Sequence, residues 1–217
     1  MATETVTLRP ATAADAEALT ELVVQLFHAE VPGVLRGPRA GQLRLVRHLV
    51  EHELATGARG RYLALDEHGV PVGTASLRRS GDTGFVTLPP GMVRLALRSL
   101  GLLNTLILAS SMLRASLVGE TPLRPGECYI YSVVVAEAYR GRGIGDAIMA
   151  QIEEEARQSG ARVALLRVIA GNERARRLYL QRGYRVIART PRLVRWIGIP
   201  SELMRKDLSY NAGQRAP

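Results

Sequence analysis

The chain has 217 residues, 47% of them hydrophobic and 23% charged, with a mean hydropathy of +0.02, the balance of a folded domain rather than of a disordered or fibrous chain. Its formal net charge of +9 comes from 29 Lys and Arg against 20 Asp and Glu, and Lys206 is the only lysine among those cations. The single cysteine, Cys128, excludes an internal disulfide framework and any multi-cysteine zinc site, and it suits a reducing compartment.

No basic region precedes an apolar run at the N-terminus, so no secretory signal is read there. Val6 and Leu8 alternate with threonines before Pro10, as in a short strand. Thr12 and Asp15 then have the spacing of a capping box, ahead of Leu19, Leu22, Val23, Leu26 and Phe27 at helical spacing. After the Pro/Gly-rich stretch 31–41, a second helix is expected from Gln42 to Thr56, with Gly57 ending it. Residues 61–65 and 70–77 flank Asp66-Glu67-His68-Gly69 as two hairpin strands. Residues 81–126 are the least regular part, and inside them the apolar run from Met92 to Val118 supplies one or two helices. Residues 128–135 are β-branched and aromatic and read as a buried strand. Next come a glycine loop, a helix to Gln158, a strand over 162–169, a helix from Asn172 to Arg182, strands over 184–188 and 202–208, and a polar tail, 209–217.

The charge is unevenly placed. Residues 1–139 hold 13 basic and 13 acidic side chains, whereas residues 140–217 hold 16 and 7, so the whole excess lies in the last third of the chain. That third opens with Tyr139-Arg140-Gly141-Arg142-Gly143-Ile144-Gly145-Asp146, between a buried strand and a helix whose stripe is Ile144, Ala147, Ile148, Ile152 and Ala156. A helix start leaves backbone N–H groups unpaired, and glycines let an anion approach them, so the loop reads as a phosphate or pyrophosphate cradle or as a tight strand-to-helix turn. A Walker loop is excluded because no lysine precedes Lys206, and a dinucleotide fingerprint fails because Asp146 stands where glycine is required.

Two motifs carry a resemblance to the GNAT superfamily of N-acetyltransferases. Arg140-Gly141-Arg142-Gly143-Ile144-Gly145 fits the family's Gln/Arg-x-x-Gly-x-Gly/Ala loop. Asn172, Ala175 and Tyr179, followed by Gly183-Tyr184, fit its Asn-x-x-Ala-x-x-x-Tyr pattern. The resemblance implies an α/β acyl-coenzyme A N-acyltransferase fold over 1–208: a mixed, mostly antiparallel sheet with helices on both faces, and an apolar, helical insertion at 81–126. It implies acetyl-coenzyme A as cosubstrate, with no metal. The pantetheine arm would run along Val133, Val134 and Val135, and the pyrophosphate would lie on backbone N–H groups from Gly141 to Asp146, with Arg140 and Arg142 adding charge. Asn172 would bond the pantetheine amides or cap its helix, and Tyr179 would protonate the departing thiolate as general acid. The oxyanion would take a backbone N–H near Val134.

The sequence departs from the family at the base. The positions where family members often carry a glutamate hold Tyr129 and Arg167, which leaves Glu127 acting through water, Tyr129, or a residue of the insertion. Arg167 reads either as a solvated strand-end arginine or as a receiver for an acidic group on the acceptor. The expectation is acetyl transfer to an amine, such as a peptide N-terminus or a small molecule; a non-catalytic acetyl-coenzyme A binding module is the alternative, motivated by the absent carboxylate.

Other signals weigh less. His48-Leu49-Val50-Glu51-His52 matches an inverted zinc-peptidase pattern but specifies no third ligand, so a solvated helix face is expected. Cys128 reads as core. The apolar run at 92–118 reads as a lid, a homodimer contact or a membrane-surface helix, and with only Arg94, Arg98 and Arg114 as cations the first two are favoured. The longest uncharged stretch, 99–113, is shorter than the ~18 residues of a spanning helix. With aromatics at 5% and no basic recognition helix, nucleic-acid binding is not expected. A cytoplasmic protein is.

Overall fold

Alternating apolar residues in the strands and 3.6-period stripes in the helices need two faces of one sheet to bury them, and that is the arrangement found. The computed structural model describes residues 5–56, 60–82, 88–116, 121–190 and 199–209. In chain order the elements are β1 (Thr7–Pro10), α1 (Ala16–Glu30), α2 (Arg39–Ala55), β2 (Arg61–Leu65), β3 (Pro71–Arg79), α3 (Met92–Leu100) and α4 (Leu102–Ser116). They continue with β4 (Glu127–Val135), α5 (Ile144–Gln158), β5 (Val163–Ile169), α6 (Glu173–Gln181), β6 (Arg185–Arg189) and β7 (Ser201–Asp207). The strands form one sheet in the order β1-β2-β3-β4-β5-β7-β6. All neighbours are antiparallel except β4 and β5.

Each face of the sheet has its own core. On one, Ile144, Ile148, Met149, Ile152 and Ala156 of α5, all 1% exposed or less, pack on Leu77, Cys128, Ile130 and Leu166. On the other, Leu19, Leu22, Val23 and Val24 of α1 and Leu45, Val46 and Val50 of α2 cover Leu63 and Val134. Burying such a side chain stabilises the fold by roughly 1.5–3 kcal/mol.

The start of α1 follows the expected spacing: the Asp15 carboxylate accepts the Thr12 N–H at 2.7 Å, but it does so from a single 3-10 turn, and Arg9 grips the same carboxylate at 2.7 and 2.8 Å. Helix α2 begins at Arg39, three residues before the expected Gln42, and Gly57, expected to end it, lies outside the described residues. The apolar run divides into α3 and α4 at Gly101, which sits at φ +80°, a conformation glycine adopts at little cost. Helix α3 docks on α2 through Gly41, whose missing side chain lets the Ser99 carbonyl approach. Leu102, Leu103 and Leu106 of α4 are more than half exposed. Apart from Ser209, the expected polar tail lies outside the described residues. Among the described residues no helix is long and apolar enough to cross a membrane.

Candidate active site

The site begins where two strands part. β4 and β5 pair in parallel from Glu127↔Val163 to Ile130↔Leu166, and no pair follows. Just past that point Ser132 takes φ +50°, a left-handed conformation that costs a non-glycine residue about 1–2 kcal/mol, and the β3–β4 register shifts between Thr74 and Ser76. The bulge changes the phase of the strand. Before it, Cys128 and Ile130 face α5; after it, Val134 faces α1, while Val133 and Val135 lie against the α5 core. The diverging strands open a cavity of about 690 Å³ lined by Val133, Val134 and Val135 of β4, by the glycine loop, by α6 and by the end of α1.

At one end of the cavity stands the loop between β4 and α5. Gly141 (φ +90°) and Gly143 (φ +84°) both occupy the left-handed region, and Gly143 is the N-cap of α5. Among the described residues no backbone carbonyl accepts the N–H of Gly141, Gly143, Ile144 or Gly145, as expected at a helix start. Asp146 differs from the expectation. Its N–H is already bonded to the Gly143 carbonyl at 3.0 Å, and its carboxylate meets Arg182 at 2.8 Å, so the run of open N–H groups ends at Gly145. The Ile144 side chain is 1% exposed and belongs to the core, so only its backbone can serve a ligand.

Of the two cations the sequence suggested at this end, one lines the cavity and the other does not. Arg140 lines the cavity and donates from Nε to the Val135 carbonyl at 3.1 Å. Arg142 turns away: its guanidinium lies 5.2 Å from the Tyr139 ring centre and donates to the Ala138 carbonyl. In its place Arg174 and Arg177, one helical turn apart on α6, line the cavity together with Leu178 and Gln181 of the same helix face. The i, i+3, i+4, i+7 spacing of Arg174, Arg177, Leu178 and Gln181 was a readable signal for that face. Arg176 points elsewhere and pairs with Glu202 at 2.8 Å.

Tyr179 stands in the wall of the cavity, 7% exposed, with its ring edge-on to Tyr184 at 5.9 Å. Burial, reinforced by the charge of Glu30, pushes its phenol well above the usual range, which keeps it protonated. Asn172 caps α6, its Oδ1 accepting the Ala175 N–H at 3.1 Å; because that bond uses only the oxygen, its Nδ2 remains a donor for the cavity that Asn172 also lines. The two roles weighed from the sequence are therefore compatible.

The carboxylate that sequence reasoning missed is Glu30. It is the last residue of α1, it lines the cavity beside Leu26 and Ala29, and its charge is felt by both Tyr179 and Tyr129. Burial pushes its carboxyl up to about 7, the range in which a base is poised at neutral pH. Glu127 is placed differently: its carboxylate accepts the Arg124 N–H at 3.0 Å at the head of β4, about 20 Å along the strand from Val133, and it does not line the cavity. Tyr129 is buried under Arg78, whose guanidinium lies 5.7 Å from its ring centre, and burial raises its phenol too, which leaves it a poor base. The Cys128 thiol is fully buried and pushed up to about 12, so it is inert core. Glu51 of the His48–His52 pattern is paired with Arg47 at 2.7 Å, and among the described residues no three His, Cys, Asp or Glu side chains are grouped to hold a metal.

The cavity thus has a cationic, N–H-rich end, an apolar strand-lined middle and an acid–carboxylate end. Those features suit an extended ligand with a polyanionic terminus. The model of the acetyltransferase (GNAT) family matches residues 35–184, and the chain belongs to that family.

Over 64 residues the chain is 42% identical to YdgE, an uncharacterized N-acetyltransferase of Bacillus subtilis, covering 29% of this chain and 41% of YdgE. Over 58 residues it is 40% identical to YycN of the same organism, covering 27% of this chain and 37% of YycN. In these matches the chain spans less than half the length of either relative. Among solved structures, YncA of Salmonella typhimurium, determined with its cofactor acetyl-CoA, superposes with a TM-score of 0.54 at 21% identity over 98% of this chain and 99% of that one. A GCN5-related N-acetyltransferase of Kribbella flavida gives 0.57 at 19% identity over 93% and 97%. At such identities these likenesses establish the fold.

Proposed function

We propose that the protein transfers an acetyl group from acetyl-coenzyme A to an amine by direct attack within a ternary complex. The observation that carries this reading is one continuous cavity with the phosphate-ready loop at one end and Tyr179 and Glu30 together at the other. Acetyl-coenzyme A supplies the activated carbonyl. An amine arriving as ammonium gives a proton to ionised Glu30, and its lone pair attacks the carbonyl carbon. The C–N bond forms, the oxyanion is held by a backbone N–H of the β4 segment near Val134, and as it collapses the C–S bond breaks and Tyr179 protonates the leaving thiolate, while the extra proton on the new amide nitrogen returns to the Tyr179 phenolate. The non-catalytic alternative was motivated by the lack of a carboxylate, which Glu30 supplies. A thiol-release assay with acetyl-coenzyme A and a panel of amines tests the proposal. Sustained acceptor-dependent release is expected, and Tyr179→Phe lowers kcat by about a hundredfold while acetyl-coenzyme A affinity stays within a few-fold. An unchanged kcat removes Tyr179 as the acid, and no release with any amine removes the acetyl-transfer reading.

A further inference from the structure

Beside the site, at the parting of β4 and β5 and outside the residues that line the cavity, stands a cation that the transfer chemistry does not use. Arg167 is the first residue of β5 beyond Leu166, the last residue paired to β4, so it stands at the apex of the opening between the strands. Along β5, Ala164, Leu166 and Val168 belong to the core under α5; Arg167, by alternation, points to the opposite face, which α1 covers. There it is half-buried, and among the described residues its hydrogen bonds go to neutral oxygens: Ser201 Oγ at 3.2 Å and, weakly, Thr121 Oγ1 at 3.5 Å. Among the described residues no carboxylate pairs with Arg167, although Arg61, Arg176 and Arg182 each have one. A partly desolvated guanidinium with five donors and only long neutral bonds is costly to hold, and a planar anion is the ligand its fork is shaped for.

Tyr129 lies between two opposite charges. The positive charge of Arg167 acts on its phenol from β5, and the negative charge of Glu30 acts on it from the α1 side. Among the described residues neither Glu30 nor Arg167 is in an ion pair, with each other or with another side chain. A ligand spanning Tyr129 would meet a carboxylate at one side and a guanidinium at the other, and a zwitterion satisfies both.

We propose that the acceptor is a small amino acid or amino-acid analogue, its amine directed to Glu30 and its carboxylate received by Arg167. This rests on the acetyl-transfer reading above and narrows it. Polyamines and aminoglycosides bring further positive charge to Arg167 and no anion for it, and a peptide N-terminus carries an amide in place of the carboxylate.

The test measures thiol release from acetyl-coenzyme A with amino acids, with the corresponding amino-acid amides, and with spermidine and an aminoglycoside. The free acid is expected to exceed its amide in kcat/KM by about a hundredfold, the scale of a lost charge-assisted bond. Arg167→Leu collapses that acid-to-amide ratio toward one, and Arg167→Lys recovers part of it. Acetyl-coenzyme A affinity, read by calorimetry, reports that each variant is folded. Equal use of acid and amide by the wild type, or a ratio that Arg167→Leu leaves intact, overturns the acceptor assignment while acetyl transfer stands. An absence of release with every amine overturns both.

Discussion

Glu30 shows what burial does to a single carboxyl. A carboxyl near its ordinary value of 4.5 is ionised throughout the neutral range, whereas at about 7 it changes state within it. With Glu30 as the base, kcat/KM should rise with pH through about 7 with a slope of one proton, and Glu30→Gln should lower the plateau and remove that limb. A limb that survives the substitution belongs to another group. The same shift has a consequence for stability. Because the folded-state value lies above the unfolded one, the stabilisation is complete below about 4.5 and is lost as pH rises through about 7. Thermal denaturation should therefore show Glu30→Gln gaining on the wild type above pH 7 and losing that advantage below pH 4.5. Nothing in the local sequence announces this. Glu30 follows His28 and Ala29 at the polar end of a helix, and its burial beside the cavity comes from tertiary packing.

At the scale of elements, the short-range patterns were legible and the joints between elements were not. The stripe of α5, the cap of α6 by Asn172 and the strand 128–135 follow from side-chain periodicity and capping, which act within one or two turns. The docking of α3 depends on a partner 58 residues away in sequence, where a Cβ on Gly41 would collide with the Ser99 carbonyl oxygen. Helix propensity alone makes Gly41→Ala favourable by up to about 1 kcal/mol. Here the added methyl has to push α3 off α2, and the melting temperature should fall, with a cost of about 1–3 kcal/mol. A rise would mean that α2 and α3 do not pack through Gly41.

Across the whole molecule, the second half is tied together by a buried carboxylate. Glu153 of α5 is 1% exposed and is bonded by Arg182 at the end of α6 and by Lys206 of β7, at 2.8 and 2.7 Å. This gives several of the basic residues of the C-terminal third a structural use that net charge does not disclose: Arg182 and Lys206 neutralise Glu153, Arg176 neutralises Glu202, and Arg140, Arg174 and Arg177 face the cavity. Replacing Glu153 with Gln leaves Lys206 without its carboxylate and Arg182 with Asp146 alone, so unfolding in urea should show a loss of about 3 kcal/mol. A change below 1 kcal/mol would mean that water reaches the cluster. Acetyl-coenzyme A should offset part of the loss, because it binds only the folded chain.

By itself the sequence determined the order of strands and helices, the glycine loop with its helix, and the place of Tyr179, because periodicity, caps and glycine turns are written within a few residues of where they act. The tertiary structure alone decided that Glu30 and Tyr179, 149 residues apart in the chain, line one cavity, that Arg174 and Arg177 rather than Arg142 line it with them, and that Arg167 stands where β4 and β5 part. Those outcomes depend on how the bulge at Ser132 parts β4 from β5 and on which helix faces then meet across the gap. That is a packing balance among distant residues, and no local pattern encodes it.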